Sequence, residues 1–281
     1  MSAFDIAKEL DIRPRKPVVK IDDTVPIDFA GDPAISTFFV ALSCLFPDGE
    51  KFFITSVRHY LDQIKDPLLL EQISGFIGQE GMHARQHIEF NRWLESRGYP
   101  IKKQLLRVKF GTSAMRRWLP KRLQLAITIA VEHFTASMAS VTLNHGDEIL
   151  AKWDPKARAV WEWHGIEEAE HKAVAYDVYM AIGGGYFLRS FSMFLGTLIF
   201  ISQIVITQYS SLRATGNLKW QVIWQGSKTV WHKNGLFRLM FPLWLTYFKP
   251  GFHPWQEDNR AQIDAQSQRL VDFNYILPKT D

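Results

Sequence analysis

QEGMHARQH (residues 79–87) and EEAEHKAVAYDVY (residues 167–179) each carry the same four-residue signal, Glu80-x-x-His83 in the first and Glu168-x-x-His171 in the second. Residues three apart lie on one helix face, so each copy aims a carboxylate and an imidazole at one point. Each is preceded by a glutamate in a helical stretch: Glu50 in LFPDGEKFF (residues 45–53) and Glu132 in LAITIAVEHFTASMASV (residues 125–141). One Glu-x-x-His is a weak signal, because two common residues recur at that spacing by chance. The chain order Glu, Glu-x-x-His, Glu, Glu-x-x-His is much stronger. It is the ligand set of a carboxylate-bridged pair of metal ions inside a four-helix bundle.

The intervals leave room for a helix, a turn and half of the next helix between successive ligands. Asp32-Pro33, Asp66-Pro67 and Asp154-Pro155 read as N-caps followed by proline in the first turn. The spacing predicts helices over 33–45, from Asp48 to Ile64 after an interruption at Pro47, over 67–97 ending at Gly98, from Pro120 to His145, and over 155–182 before Gly183-Gly184-Gly185. At about 25–30 residues the longest of these exceed an ordinary helix of roughly 11–12. Residues 99–118 read as basic and irregular. Strand signals are nearly absent, so the expected fold is all-α: an extended segment over 1–31, a metal-binding helical bundle over 32–185, and a hydrophobic, aromatic helical extension over 186–281.

No charged residue occurs between Arg189 and Arg213. About 20 apolar residues span a bilayer, but serines, threonines and glutamines dilute this run. It reads either as a buried core helix or as a helix in or on a membrane. The stretch over 220–255 mixes Trp, Phe and Tyr with Lys and Arg, as interfacial segments do, and favours lipid contact. A polar helical tail follows over 254–273.

The composition sets outer bounds. The chain has 281 residues, 47% of them hydrophobic, and a net charge of +4. That bias is too weak for nucleic acid but suits an anionic membrane surface. The single cysteine, Cys44, excludes an internal disulfide and reads as a small buried apolar residue. The N-terminal stretch has no apolar core of signal-peptide type. The expected location is therefore the cytoplasm, with attachment to the inner face of its membrane.

Several further side chains share the ligand faces. A lone carboxylate in the apolar run around Glu132 is costly unless paired or metal-bound. Glu80 with Glu168 or Glu132 can bridge two ions, with His83 and His171 binding one each. His164 lies on the same stripe as Glu168 and His171, as an additional ligand or as support behind the ligands. His87, four residues after His83, reads as a hydrogen-bond partner of the site with metal ligation as the alternative. His133 points about 100° away from Glu132 and is not expected to bind. Glu167, Glu170 and Asp177 could orient the rings, although solvated charges are the simpler reading. Gly78 and Gly81 would let another group approach the helix. Hard oxygen and imidazole ligands point to two iron ions, with manganese or zinc as alternatives.

The motif order resembles the ferritin-like di-iron carboxylate superfamily. The phrases LFPDGEKFF, QEGMHARQH and EEAEHKAVAYDVY more closely resemble a bacterial family labelled predicted metal-dependent hydrolase, over nearly the whole chain. His164-x-x-x-Glu168-x-x-His171 is locally similar to the arylamine N-oxygenases, which add a histidine ligand on the last helix. These resemblances imply a dinuclear enzyme. The residues favour a di-iron, oxygen-dependent oxidoreductase of monooxygenase or desaturase type, acting on an apolar, lipid-like substrate and fed by an external electron donor. The alternatives are a metal-dependent hydrolase using a metal-bridging hydroxide, as the family label implies, and a non-enzymatic iron-handling protein.

Overall fold

The three aspartate–proline pairs start three long helices as expected. Asp32 accepts hydrogen bonds from the amides of Ala34 and Ile35 and opens α1, Pro33–Arg58. Asp66 accepts from Leu68 and opens α2, Pro67–Ser96, beyond which Gly98 takes a left-handed φ of 92°. Asp154 accepts from Lys156 and Ala157 and opens α5, Pro155–His171. In a computed structural model that describes residues 11–279, the other helices are α3, Ile101–Trp118; α4, Lys121–Ile149; α6, Val174–Ala181; α7, Tyr186–Ala214; α8, Trp220–Trp231; α9, Leu236–Thr246; and α10, Arg260–Asp272. Among the described residues there is no strand, only an isolated bridge from Pro17 to Ile276. The all-α expectation stands.

Three sequence expectations are corrected. Pro47 does not interrupt α1, which is one helix of 26 residues. A proline removes the hydrogen bond its amide would have given to the carbonyl four residues earlier. Here that carbonyl, on Ser43, accepts instead from Asn91 Nδ2 at 2.8 Å. The helix continues because a neighbouring helix replaces the missing donor. Residues 101–118 are helical rather than irregular: Ile101, Gln104 and Val108 recur at helical spacing on a narrow buried stripe, and the basic residues occupy the solvated remainder. The stretch over 155–182 is two helices with a turn at Lys172 and Ala173. The buried Lys172 ammonium donates to the Glu257 carbonyl at 2.7 Å and to Asn259 Oδ1 at 2.9 Å, and lies 3.9 Å from the Trp255 ring.

α1, α2, α4 and α5 surround the centre of the molecule. Phe52, Ile73, Phe76, Leu125 and Tyr179 form one apolar layer, and Phe29, Phe39, Phe90, Trp153 and Trp161 form another. The second layer also contains Phe200 and Ile204 of α7 and Leu236 and Met240 of α9, so the C-terminal helices share the core. Both α4 and α7 are long and apolar enough to cross a membrane. The most apolar window of α4 is 83% buried, against 33% for α7, which makes α4 an interior helix and α7 a one-sided surface helix.

Residues 11–31 carry no helix, and their first part crosses α2. Gly75 permits the crossing: a Cβ there would lie 1.7 Å from the Ile12 carbonyl oxygen. Gly78 meets Pro14 at 3.3 Å, as expected of a close approach, but Gly81 faces nothing within 4 Å, and that part of the expectation is corrected.

Candidate metal centre

The helical caps and the apolar layers bring Glu50 from α1, Glu80 and His83 from α2, Glu132 from α4, and His164, Glu168 and His171 from α5 into one buried cluster. Three sets of donor atoms lie close enough together to hold an ion: Glu50, His83 and His164; Glu80, His83 and Glu168; and Glu80, Glu132 and His171. Glu80 and His83 each occur in two of these sets, and of the two only Glu80, with a pair of carboxylate oxygens, can serve two positions at once. His171 Nε2 is 3.1 Å from Glu80 Oε1, 3.5 Å from Glu132 Oε2 and 3.8 Å from Glu168 Oε2. His83 Nδ1 is 3.8 Å from Glu168 Oε1.

The hydrogen bonds behind the rings determine which ring nitrogen carries a lone pair. Behind His83, Nε2 lies 3.0 Å from Glu167 Oε2; burial pushes that carboxyl up to about 8, and in its ionised form it accepts from Nε2 and leaves Nδ1 bare. Behind His171, Gln79 spends its amide hydrogens on Glu170 Oε2 and the Arg13 carbonyl. Its oxygen therefore accepts from His171 Nδ1 at 2.9 Å, leaving Nε2 bare. His164 is set by a longer relay. The Ser43 carbonyl can only accept, so Asn91 Nδ2 points at it and Asn91 Oδ1 accepts from the Ser43 hydroxyl at 2.9 Å. Ser43 Oγ, its hydrogen spent, accepts from His87 Nδ1 at 3.0 Å. His87 Nε2 then accepts from His164 Nδ1 at 2.9 Å. His164 Nε2 is left bare and lies 3.0 Å from Glu168 Oε1.

Three imidazole nitrogens thus face carboxylate oxygens, and acceptors aimed at one another need either a shared proton or a metal ion between them. Both oxygens of Glu50, Glu80 and Glu132, with His83 Nδ1 and His171 Nε2, are buried without a hydrogen-bond partner. Orphaned buried polar atoms are rare in folded proteins; others are scattered singly through this one, but these eight meet in one place, and the donor set fits a pair of metal ions. Burial, then the charges of neighbouring glutamates, raises the carboxyls of Glu50 and Glu132 well above their usual range. Burial pulls His171 down, but the nearby carboxylates of Glu168 and Glu80 outweigh it and raise this imidazole well above its usual range. The cage calls for positive charge. Burial, with the adjacent His164, holds His83 well below the imidazole range and keeps it neutral, as a ligand must be.

The reading of Glu167 and Glu170 as solvated charges is corrected: both are buried, Glu167 against His83 and Glu170 against Gln79. Asp177 lies elsewhere, 3.0 Å from His253. His87 is placed behind His164 as a hydrogen-bond partner. His133 points away and hydrogen-bonds the Leu243 carbonyl at 3.0 Å. Cys44 is buried, and burial pushes its thiol up to about 12.

Sequence reasoning missed Arg15, Gln79, Thr135, Ser43 and Asn91. Gln79 precedes a ligand and could have been noticed. No local signal marks Arg15, whose amide donates to Glu167 Oε1 at 2.5 Å and whose guanidinium grips both oxygens of Glu170 at 2.8 and 2.5 Å. Arg15→Ala would leave Glu170 buried with only Lys279, at 3.2 Å, as a cationic partner. It is expected to cost about 3 kcal/mol of stability, read from urea unfolding at constant slope. A loss below about 0.5 kcal/mol would place Arg15 outside the support of the cluster.

One cavity touches the cluster, and a second lies beyond Phe46, which lines both. The first, of about 30 Å³, lies against Thr135, His164 and Glu168, with Phe39, Phe46 and Trp161 around it. The other, about 120 Å³, lies between α1, α3, α4 and α7 and is lined mainly by apolar groups, Phe46 and Phe53 among them.

A family model described as Predicted metal-dependent hydrolase matches residues 13–258. No curated protein and no solved structure matches the chain.

Proposed function

We propose that this chain, which belongs to the predicted metal-dependent hydrolase family, is a two-metal enzyme with its ions held between α1, α2, α4 and α5. The observation that carries the reading is the convergence of two unpartnered imidazole nitrogens, on His83 and His171, with the unpartnered carboxylates of Glu50, Glu80 and Glu132, beside the His164–Glu168 pair. Glu50, His83 and His164 would hold one ion, Glu132 and His171 the other, with Glu80 and Glu168 between them. This order is that of the ferritin-like di-iron carboxylate proteins, and the extra imidazole of His164 is the local likeness to the arylamine N-oxygenases.

The family description supports hydrolysis as the reaction class, the alternative named from the sequence, and not the oxidoreductase reading placed first there. Two bound ions would supply an activated water and polarisation of a scissile carbonyl or, if redox-active, electrons for oxygen. The chain's own groups prepare the site for either. Glu167 and Gln79 hold two rings in the tautomer that binds, and Thr135 donates to Glu168 Oε2 at 2.6 Å, fixing that carboxylate. Phe46, Phe76 and Trp163 pack against His164, His171 and His83 and exclude bulk water.

One observation favours the oxygen-dependent reading. The larger cavity is apolar, and the one guanidinium at its wall, Arg107, is engaged by Gln203 and Thr207 instead of being free for an oxyanion. Such a wall suits an apolar substrate, with iron as the metal and electrons from a separate donor.

Metal analysis followed by paired assays separates the two. The hydrolytic reading expects a pair of ions per chain and cleavage of acyl esters or amides at an equal rate in anaerobic buffer. Oxygen uptake on reduction of the iron-loaded protein, without anaerobic cleavage, would replace it by the oxidative reading. Absence of stoichiometric metal would overturn both.

A further inference from the structure

α7 has two unlike sides. Ser192, Met193, Gly196, Phe200 and Ile204 are buried on the bundle side, whereas Phe187, Phe191, Phe194, Leu198 and Val205 stand outward, 56–86% exposed. Their spacing of three to seven residues keeps the outward set on one face. α3 lies alongside, tied by Arg107 Nε to Gln203 Oε1 at 2.8 Å, and adds the exposed Leu106, Phe110 and Trp118. α9 continues the face on the other side: Trp244 Nε1 donates to Thr197 Oγ1 at 3.1 Å, and Phe241 is exposed. Single exposed apolar side chains are ordinary, but a face of this kind across three helices is not.

Charge identifies the occupant. Between residues 178 and 256 there is no Asp or Glu, and between 96 and 131 there is none either; the only charges are Lys and Arg, which lie on either side of the uncharged run 190–212 and over 97–122. Arg116 and Arg117 flank Trp118, and Lys219 and Lys228 flank the exposed Trp220 and Trp224. Aromatic rings with cations at their margin match the boundary of an anionic bilayer. α7 could span one by its 29 residues, but its inner side is committed to the protein along its length. Arg189 donates to the Lys249 carbonyl near one end, and Gln208 donates to the Ala34 carbonyl near the other. Only the outer side is open to lipid, which means lying flat. The cavity of about 120 Å³ lies between α3 and α7, and its wall reaches the surface at the exposed Gly111, next to the exposed Phe110. Cavities of that order take up a benzene-sized group.

We propose that α3, α7 and α9 form a docking face for an anionic phospholipid bilayer, and that the cavity beside Gly111 draws the acyl chain of a membrane amphiphile toward Glu50 and Glu132. The second clause rests on the two-metal reading; the first does not.

Full-length, metal-loaded protein is mixed with vesicles of phosphatidylcholine, with and without phosphatidylglycerol, and sedimented. Binding is expected to the anionic vesicles and to fall as salt rises. Phe191→Ser with Phe194→Ser should lower partitioning roughly a hundredfold. Arg116→Gln with Arg117→Gln should lower it roughly twentyfold. Phe191, Phe194 and Arg117 are exposed and Arg116 is half-buried, and an unchanged thermal midpoint and metal content would exclude misfolding. Gly111→Trp adds a side chain where none is within 4 Å. It should leave docking intact and suppress uptake of the fluorescent acyl probe cis-parinaric acid by tenfold or more, roughly the worth of one buried apolar side chain. Wild-type protein that stays in the supernatant overturns the docking face, as does a dimer that the Phe191 and Phe194 changes dissolve. Probe uptake indifferent to Gly111→Trp overturns the route. Neither readout uses turnover, and metal content on the same samples tests the two-metal reading separately.

Discussion

Glu132→Ala and His171→Ala are each expected to lose metal and activity together, with metal affinity falling by at least about a hundredfold, since even groups behind a ligand cost about 10–100-fold. The cause is geometric. Glu132 and His171 meet at 3.5 Å from α4 and α5, and removing either opens the same ion position. The cluster is buried, so no solvent ligand enters cheaply to replace a lost carboxylate. His133→Ala is the matched control, because His133 follows Glu132 in sequence but faces the Leu243 carbonyl and the Tyr247 ring. It should keep its metal. Equal metal content in all three variants, measured by atomic emission on purified protein, would defeat the ligand assignment.

Removal of metal from the intact protein is expected to lower its thermal midpoint by about 10 °C. Ions present at a thousandfold excess over their dissociation constant stabilise by about 4 kcal/mol, and each kcal/mol is worth about 2–4 °C in a chain of this size. Without cations the cage holds carboxyls whose oxygens face one another unpaired. Glu132→Leu should therefore have opposite effects in the two states. In chelator it should be more stable than the wild type by about 1–2 kcal/mol, because an apolar side chain replaces a buried ionisable one. In excess metal it should lack the rise that the wild type shows. Calorimetric scans with and without chelator check both signs. A wild-type midpoint indifferent to a chelator that removes all the metal would show that the buried cluster is satisfied by protons alone.

The ligand stripe was legible because it depends on local geometry. Glu80 and His83, or Glu168 and His171, share a face by virtue of being three apart on any α-helix, whatever packs against it. The aspartate–proline pairs were legible for the same reason, since a cap is completed within one turn. Pro47 misled because its effect depends on a donor, Asn91, which lies 48 residues from Ser43. The basic stretch over 99–118 misled because only three of its residues form a buried stripe. Glu167 and Glu170 looked solvated because nothing local pairs them; their partners Arg15, His83 and Gln79 come from other segments.

The sequence by itself determined the helical class, the donor types and their order along the chain, because helix periodicity and capping act over three or four residues. Only the tertiary structure decided which nitrogen of each imidazole faces the carboxylates, that Arg15 braces Glu167 and Glu170 across 152 and 155 residues, and which side of α7 is left open. Those outcomes belong to contacts between distant segments, and a ring's tautomer or a helix's exposed face is set by whatever neighbour arrives, not by the residues adjoining it in the chain.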